Sequence, residues 1–193
     1  IWWNCPRCMA PFGLSALRSL LGRGVNSTSW QPPEASWSRR FGLGWESPYT
    51  VRYASNLDDG PDHGMPLGGF GAGCLGRSPS GAFNLWNLDG GEHWFGSIPD
   101  CQFALWEQQG EDVRAHALAT APDRDDTDPS GGTPLSAWQW YPASTQGRST
   151  GTYAARYPLS WTHHEDVYRA GVLCEAFSPI FPGDYQRTSY PVA

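Results

Sequence analysis

The segment Asn87-Leu-Asp-Gly-Gly-Glu-His-Trp94 sets two carboxylates, Asp89 and Glu92, three positions apart, with His93 beside them and Trp86 and Trp94 on either side. Carboxyl pairs among aromatic rings are the raw material of glycoside hydrolysis. One carboxyl protonates the leaving oxygen, and the other attacks the sugar or activates water. The same spacing is also that of a turn closing a strand, with Asp89 bonded to nearby backbone N–H groups. On spacing alone the turn is the better fit.

Other groupings carry less. His163-His164-Glu165-Asp166 has the residue types of a metal site. Neighbours on a strand point to opposite faces, though, and the cluster falls between two strand-like runs, where a hairpin turn is expected. Asp58-Asp59-Gly60-Pro61-Asp62 lacks the ligand positions of a calcium loop and reads as a plain turn. Cys5-Pro-Arg-Cys8 is a lone C-x-x-C with no second pair nearby, so a structural zinc is not indicated. The five cysteines are scattered and odd in number, which argues against a disulfide framework. Ser78 and Ser80 flank a proline rather than opening a helix. No metal and no cofactor is expected.

Gly64-Met-Pro-Leu-Gly-Gly-Phe-Gly-Ala-Gly-Cys-Leu-Gly76 holds six glycines in thirteen residues. Its second half matches the G-x-G-x-x-G dinucleotide pattern letter for letter. That pattern needs a strand before it and a helix after it. Turn-forming residues precede it, and Arg77-Ser-Pro-Ser-Gly81 would break any helix that came next. Without that helix no N-terminal dipole is available to hold a pyrophosphate. Gly68, Gly69, Gly71, Gly73 and Gly76 therefore read as a structural loop in which backbone passes close to backbone.

Short strands are expected to carry these residues. Apolar and aromatic runs at Tyr49–Tyr53, Ala82–Leu88, Gln102–Glu107, Val113–Leu118, Ala137–Tyr141, Ala154–Trp161 and Val167–Phe177 are separated by Gly, Pro, Asp and Asn. Several alternate with period two. In the second run Phe83, Leu85 and Trp86 compete for the buried face. The expected fold is all-β, an antiparallel two-sheet β-sandwich over 45–193 that is incomplete at its C-terminal end. Residues 1–44 read as a lead-in with one short helix near 14–21, otherwise extended or poorly ordered. Residues 122–134 are acidic and apolar-poor and read as a solvated loop.

The chain has 193 residues and a formal charge of −6, and all 13 of its basic residues are arginine. An acidic chain with no basic run is a poor partner for nucleic acid or an anionic membrane. No stretch reaches the roughly 20 apolar residues of a membrane-spanning helix. The start at Ile1 is that of a fragment. Eleven tryptophans and eight tyrosines exceed the needs of core filling and suit sheet interfaces and sugar-stacking platforms.

Four segments in order resemble one family: Gly64-Met-Pro-Leu-Gly-Gly-Phe-Gly-Ala-Gly, Gly81-Ala-Phe-Asn-Leu-Trp-Asn-Leu, Ile98-Pro-Asp-Cys-Gln-Phe-Ala-Leu, and Ala176-Phe-Ser-Pro-Ile-Phe-Pro-Gly-Asp-Tyr-Gln-Arg-Thr-Ser-Tyr-Pro-Val. Together, from about Trp45 to Ala193, they resemble the amino-terminal domain of glycoside hydrolase family 116, the non-lysosomal glucosylceramidase (bile-acid β-glucosidase) family. The resemblance implies a β-sandwich followed by a large helical domain that carries the nucleophile and the acid/base. None of the family's catalytic residues has a matching position here, so the chain should be inactive alone. The implied partner is that helical domain in the same polypeptide, with a β-glucoside or glucosyl lipid as substrate through it. Trp86, Asp89, Glu92, His93 and Trp94 would then face the sugar site or the domain interface. A location in the cytoplasm or at a membrane periphery is consistent with the family. The alternative is a free-standing carbohydrate-binding or scaffolding sandwich. Residues 1–40 carry no resemblance.

Overall fold

The computed structural model describes residues 30–43, 64–69, 73–89, 92–121 and 138–189. The expected helix near 14–21, the strand-like run at 49–53, both residues of Cys5-x-x-Cys8, the Asp58–Asp62 turn and the acidic loop at 122–134 lie outside them.

Eleven strands are present among the described residues, most of them joined by short turns: β1 (Trp37–Arg40), β2 (Met65–Leu67), β3 (Cys74–Arg77), β4 (Phe83–Asp89), β5 (Glu92–Phe95), β6 (Ala104–Gln109), β7 (Asp112–Ala117), β8 (Gln139–Trp140), β9 (Gly151–Arg156), β10 (Leu159–His164) and β11 (Val172–Phe177). One short helix, α1 (Tyr185–Thr188), comes after them, capped by Asp184, whose carboxylate accepts from the Arg187 N–H at 2.9 Å. The all-β, mostly antiparallel expectation is met. By hydrogen-bonded pairing the described strands fall into three sheets, in the orders β1-β9-β10-β11, β2-β3-β4-β5 and β6-β7-β8. The third contains a parallel pair, β7 with β8. A parallel pair needs a crossover of a dozen or more residues, and 118–138 supply one.

Sequence runs and strands differ where a turn is made without a break in hydrophobicity. The single run Ala154–Trp161 belongs to two strands, β9 and β10, which turn at Tyr157-Pro158 with Arg156 opposite Leu159. Of the run Val167–Phe177, only Val172–Phe177 is strand, because 165–171 form the loop between β10 and β11. His163 and His164 are not in a turn, as expected, but are the last two residues of β10. The segment read as a lead-in provides β1, which pairs with β9 from Trp37↔Ala155 to Arg40↔Thr152.

In the first sheet, pairing and alternation put Tyr153, Ser160, Thr162, His164 and Cys174 on one face, and Ala154, Trp161 and His163 on the other. The first face packs on the other two sheets. The core there is Phe41, Leu118, Tyr141, Tyr168 and Cys174, with Phe103, Leu105, Val167 and Val172 against it. On the opposite face Trp30 lies on His163, ring centroids 5.3 Å apart.

Candidate functional site

Two places gather the residues of interest. The first is the β4–β5 hairpin. Phe83 and Leu85 take the buried face of β4, and Trp86 is half-buried on the other. Trp86 stands directly across from Trp94, their rings 6.2 Å apart and tilted by 42°. The pair is fixed from below. The Trp86 indole N–H donates to the Gly96 carbonyl at 2.8 Å, and the Gly96 N–H to the Asn84 carbonyl at 2.9 Å. Gln102 then ties the strand to the next turn, accepting from the Phe83 N–H at 2.8 Å and donating to the Ile98 carbonyl at 2.9 Å. At the hairpin end Asp89 pairs with Glu92 in register. Of the five expected site residues, backbone pairing thus joins Trp86 to Trp94 and Asp89 to Glu92 on one hairpin. The side chains of Asp89, Glu92 and His93 lie outside the described residues.

The glycine segment is the β2–β3 hairpin. Gly68 and Gly69 end its first limb, Gly73 opens its second, and Gly76 sits inside β3; Gly71 lies outside the described residues. Two of its glycines show why the type is required. Gly64 has φ +68, and a Cβ there would stand 1.9 Å from the Arg77 carbonyl oxygen. Gly68 has φ +147, and its Cβ would stand 2.5 Å from the Gly73 carbonyl oxygen. Gly73 leads into a strand, not into the helix a dinucleotide loop requires.

The second place is the junction of the three sheets, which sequence reasoning missed. Arg77, at the end of β3, is 3 % exposed. Its guanidinium donates to the Gly81 carbonyl (3.0 Å), the Thr162 hydroxyl on β10 (3.2 Å) and the Leu118 carbonyl after β7 (3.4 Å). It also lies over the Phe103 ring, 5.6 Å from the centroid. One side chain therefore touches all three sheets. Tyr153 and Ser178 add to the clasp: the Tyr153 hydroxyl accepts from the Met65 N–H (3.0 Å), and Ser178 Oγ donates to the Pro66 carbonyl (2.9 Å) and accepts from the Gly68 N–H (3.2 Å).

Burial sets the electrostatics. It pushes the Tyr141, Tyr153 and Tyr168 hydroxyls up from the usual phenol range, and Tyr168 adds to the effect at Tyr141. Burial, then the Arg77 charge, holds His164 well below the usual histidine range. Among the described residues no group of three or more His, Cys, Asp or Glu could hold a metal ion, and no helix is long and apolar enough to cross a membrane. His163 and His164 diverge to opposite faces of β10, as neighbours on a strand must. The hairpin thus holds a fixed pair of indole rings, while the junction offers cohesion. A family model described as beta-glucosidase 2, glycosyl-hydrolase family 116 N-term, matches residues 64–193.

Proposed function

This chain belongs to glycosyl-hydrolase family 116, whose amino-terminal domain it carries, and on that premise we propose that it is the supporting front module of a retaining β-glucosidase of the glucosylceramidase kind. The observation that carries the reading is the family match, which spans every strand from β2 to β11. Bond cleavage belongs to a helical catalytic domain of the same polypeptide, acting on a β-glucoside or glucosyl lipid. The front module braces that domain and contributes the β4–β5 hairpin to the rim of the cleft. Supporting this, Trp86 and Trp94 form a fixed pair next to Asp89 and Glu92, and indole faces stack well on sugar rings.

Two measurements test it. In the full-length enzyme, Trp86→Ala and Trp94→Ala should each raise KM for an aryl β-glucoside by about tenfold, with a smaller change in kcat. Unchanged kinetics in both variants would remove the rim role. The 193-residue chain alone should release no chromophore from the same substrate; turnover by it would overturn the division of labour.

A further inference from the structure

His164 is the least satisfied group among the described residues. Its side chain is 1 % exposed, and neither Nδ1 nor Nε2 has a hydrogen-bond partner. The ring is held edge to face between Phe41 at 4.7 Å and Tyr141 at 4.8 Å. Phe41 comes from the segment 30–43, which lies along the first sheet through β1.

Among the described residues two charged or titratable groups act on the ring directly, and Cys174 lies in the same core as the ring's neighbours Phe41 and Tyr141. Arg77 faces it from β3 and His163 from its own strand. Tyr141 packs on it from the segment after β8, with its hydroxyl donated to the Glu165 carbonyl. His116 of β7 and Tyr168 pack on Tyr141 in turn. The Glu165 carboxylate serves His163, 2.9 Å from its Nδ1 on the opposite face. Among the described residues no carboxylate is one of the groups that shift His164.

We propose that residues 30–43 are an acid-released strap, held closed over a neutral His164 and let go when that ring takes a proton. A protonated ring would be a buried cation with no acceptor, beside a second buried cation, Arg77. Water must reach it, and the elements around it differ in how easily they yield. β10 is an interior strand, hydrogen-bonded on both sides. Tyr141 is held at both ends, by its N–H to the Ala119 carbonyl (2.9 Å) and by its hydroxyl. Among the described strands β1 lies at the sheet edge, paired with β9. Beyond that pairing, the Phe41 N–H donates to the Gly151 carbonyl (2.8 Å), its carbonyl accepts from the Ser144 N–H (3.0 Å), and Arg40 reaches the Thr145 and Gln146 carbonyls at the surface. Lifting the strap withdraws Phe41 and wets the ring while β10 and Tyr141 stay in place, at the loss of these bonds, of the Gly42 N–H to Pro79 carbonyl bond (3.1 Å) and of the Trp37–Tyr153 ring contact. The strap's Arg39 and Arg40, against its single Glu34, leave it net positive, which disfavours reclosure over a protonated ring.

Hydrogen exchange of the full-length protein, normalised to intrinsic rates, tests the strap at pH 7.5 and pH 5.0. The open state titrates near the ordinary histidine value of 6.5, and each pH unit below that favours opening tenfold. Protection of amides 37–42 should therefore fall about thirtyfold at pH 5.0, while β6–β7 amides keep theirs. His164→Phe, or His164→Gln if the first does not fold, should abolish the pH response, and His163→Gln should retain it. The proposal fails if the His164 variants respond like the wild type, if His163→Gln removes the response, or if β1 and β10 lose protection together. Should neither His164 variant fold, the wild-type profile decides. An onset below about pH 6.5 supports the histidine, and an onset only below about pH 4.5 points to carboxylates and overturns the strap.

Discussion

Arg77 shows how one side chain organises this molecule. A guanidinium presents donors in a rigid fork, and here the fork meets two carbonyls and a hydroxyl from three sheets instead of a carboxylate. Arg77→Met would leave those buried acceptors without donors. Urea unfolding should show a loss of about 3 kcal/mol or more, and Arg77→Lys, which cannot reproduce the fork, should not restore it. Gly64→Ala should cost more than about 1 kcal/mol in the same assay, because φ +68 and the Arg77 carbonyl 1.9 Å away both exclude a Cβ. The buried tyrosines give a stability profile at alkaline pH. Burial raises the folded-state pKa of Tyr141 and Tyr168, so the unfolded chain loses its phenolic protons first. Their contribution is complete below about pH 10 and is lost as pH rises beyond it, so the melting temperature should drop above pH 10, less so in Tyr168→Phe. Of these residues the glycines were legible from composition alone. Arg77 was not, because its three acceptors come from positions 81, 118 and 162 and leave no local pattern in the sequence.

The strands and hairpins divide in the same way. Phe83 and Leu85 keep period two although Trp86 competes for the face, so β4 could be read from its sequence, as could β6 and β7. The turn at Tyr157-Pro158 interrupts an otherwise continuous apolar run, and β9 and β10 were merged as a result. β1 was missed because Trp37-Ser-Arg-Arg40 is polar and mostly exposed, and it is a strand only because β9 offers it an edge. The β2–β3 hairpin is likewise held by the residue across from it. Ser178, just past β11, satisfies both the Pro66 carbonyl and the Gly68 N–H. Ser178→Ala should lower stability by about 1–2 kcal/mol in thermal or urea melts. An unchanged melt would mean that the hairpin docks by shape alone.

At the scale of the whole molecule, the family match begins at residue 64, yet the core does not. Phe41 is fully buried among Tyr141, His164 and the residues behind them. Phe41→Ala should therefore cost about 3–5 kcal/mol, as removal of a core aromatic does. A chain beginning at Gly44 should lose near-ultraviolet dichroism and bind hydrophobic dye, since the aromatic core would stand open. A cooperative melt matching that of the full chain would show that the strap is dispensable. Exposed apolar side chains also mark faces left unsheltered in this chain: Trp106 and Val113 on the β6–β7 hairpin, and Phe177, Ile180 and Tyr185 around the end of β11.

The all-β class was readable from local pattern alone. Period-two alternation, turn residues between short runs and the glycine-rich hairpin are local signals, and the motif order carried the family. The same local signals placed Trp86, Asp89, Glu92 and Trp94 together on one segment. The pairing of the described strands into three hydrogen-bonded sheets, the burial of Phe41 from the segment 30–43, and the convergence of Arg77 on Gly81, Leu118 and Thr162 emerge only in three dimensions. Those outcomes depend on contacts between residues tens of positions apart. Strand pairing and burial are settled by the partner surface, and nothing in the neighbouring sequence specifies that surface.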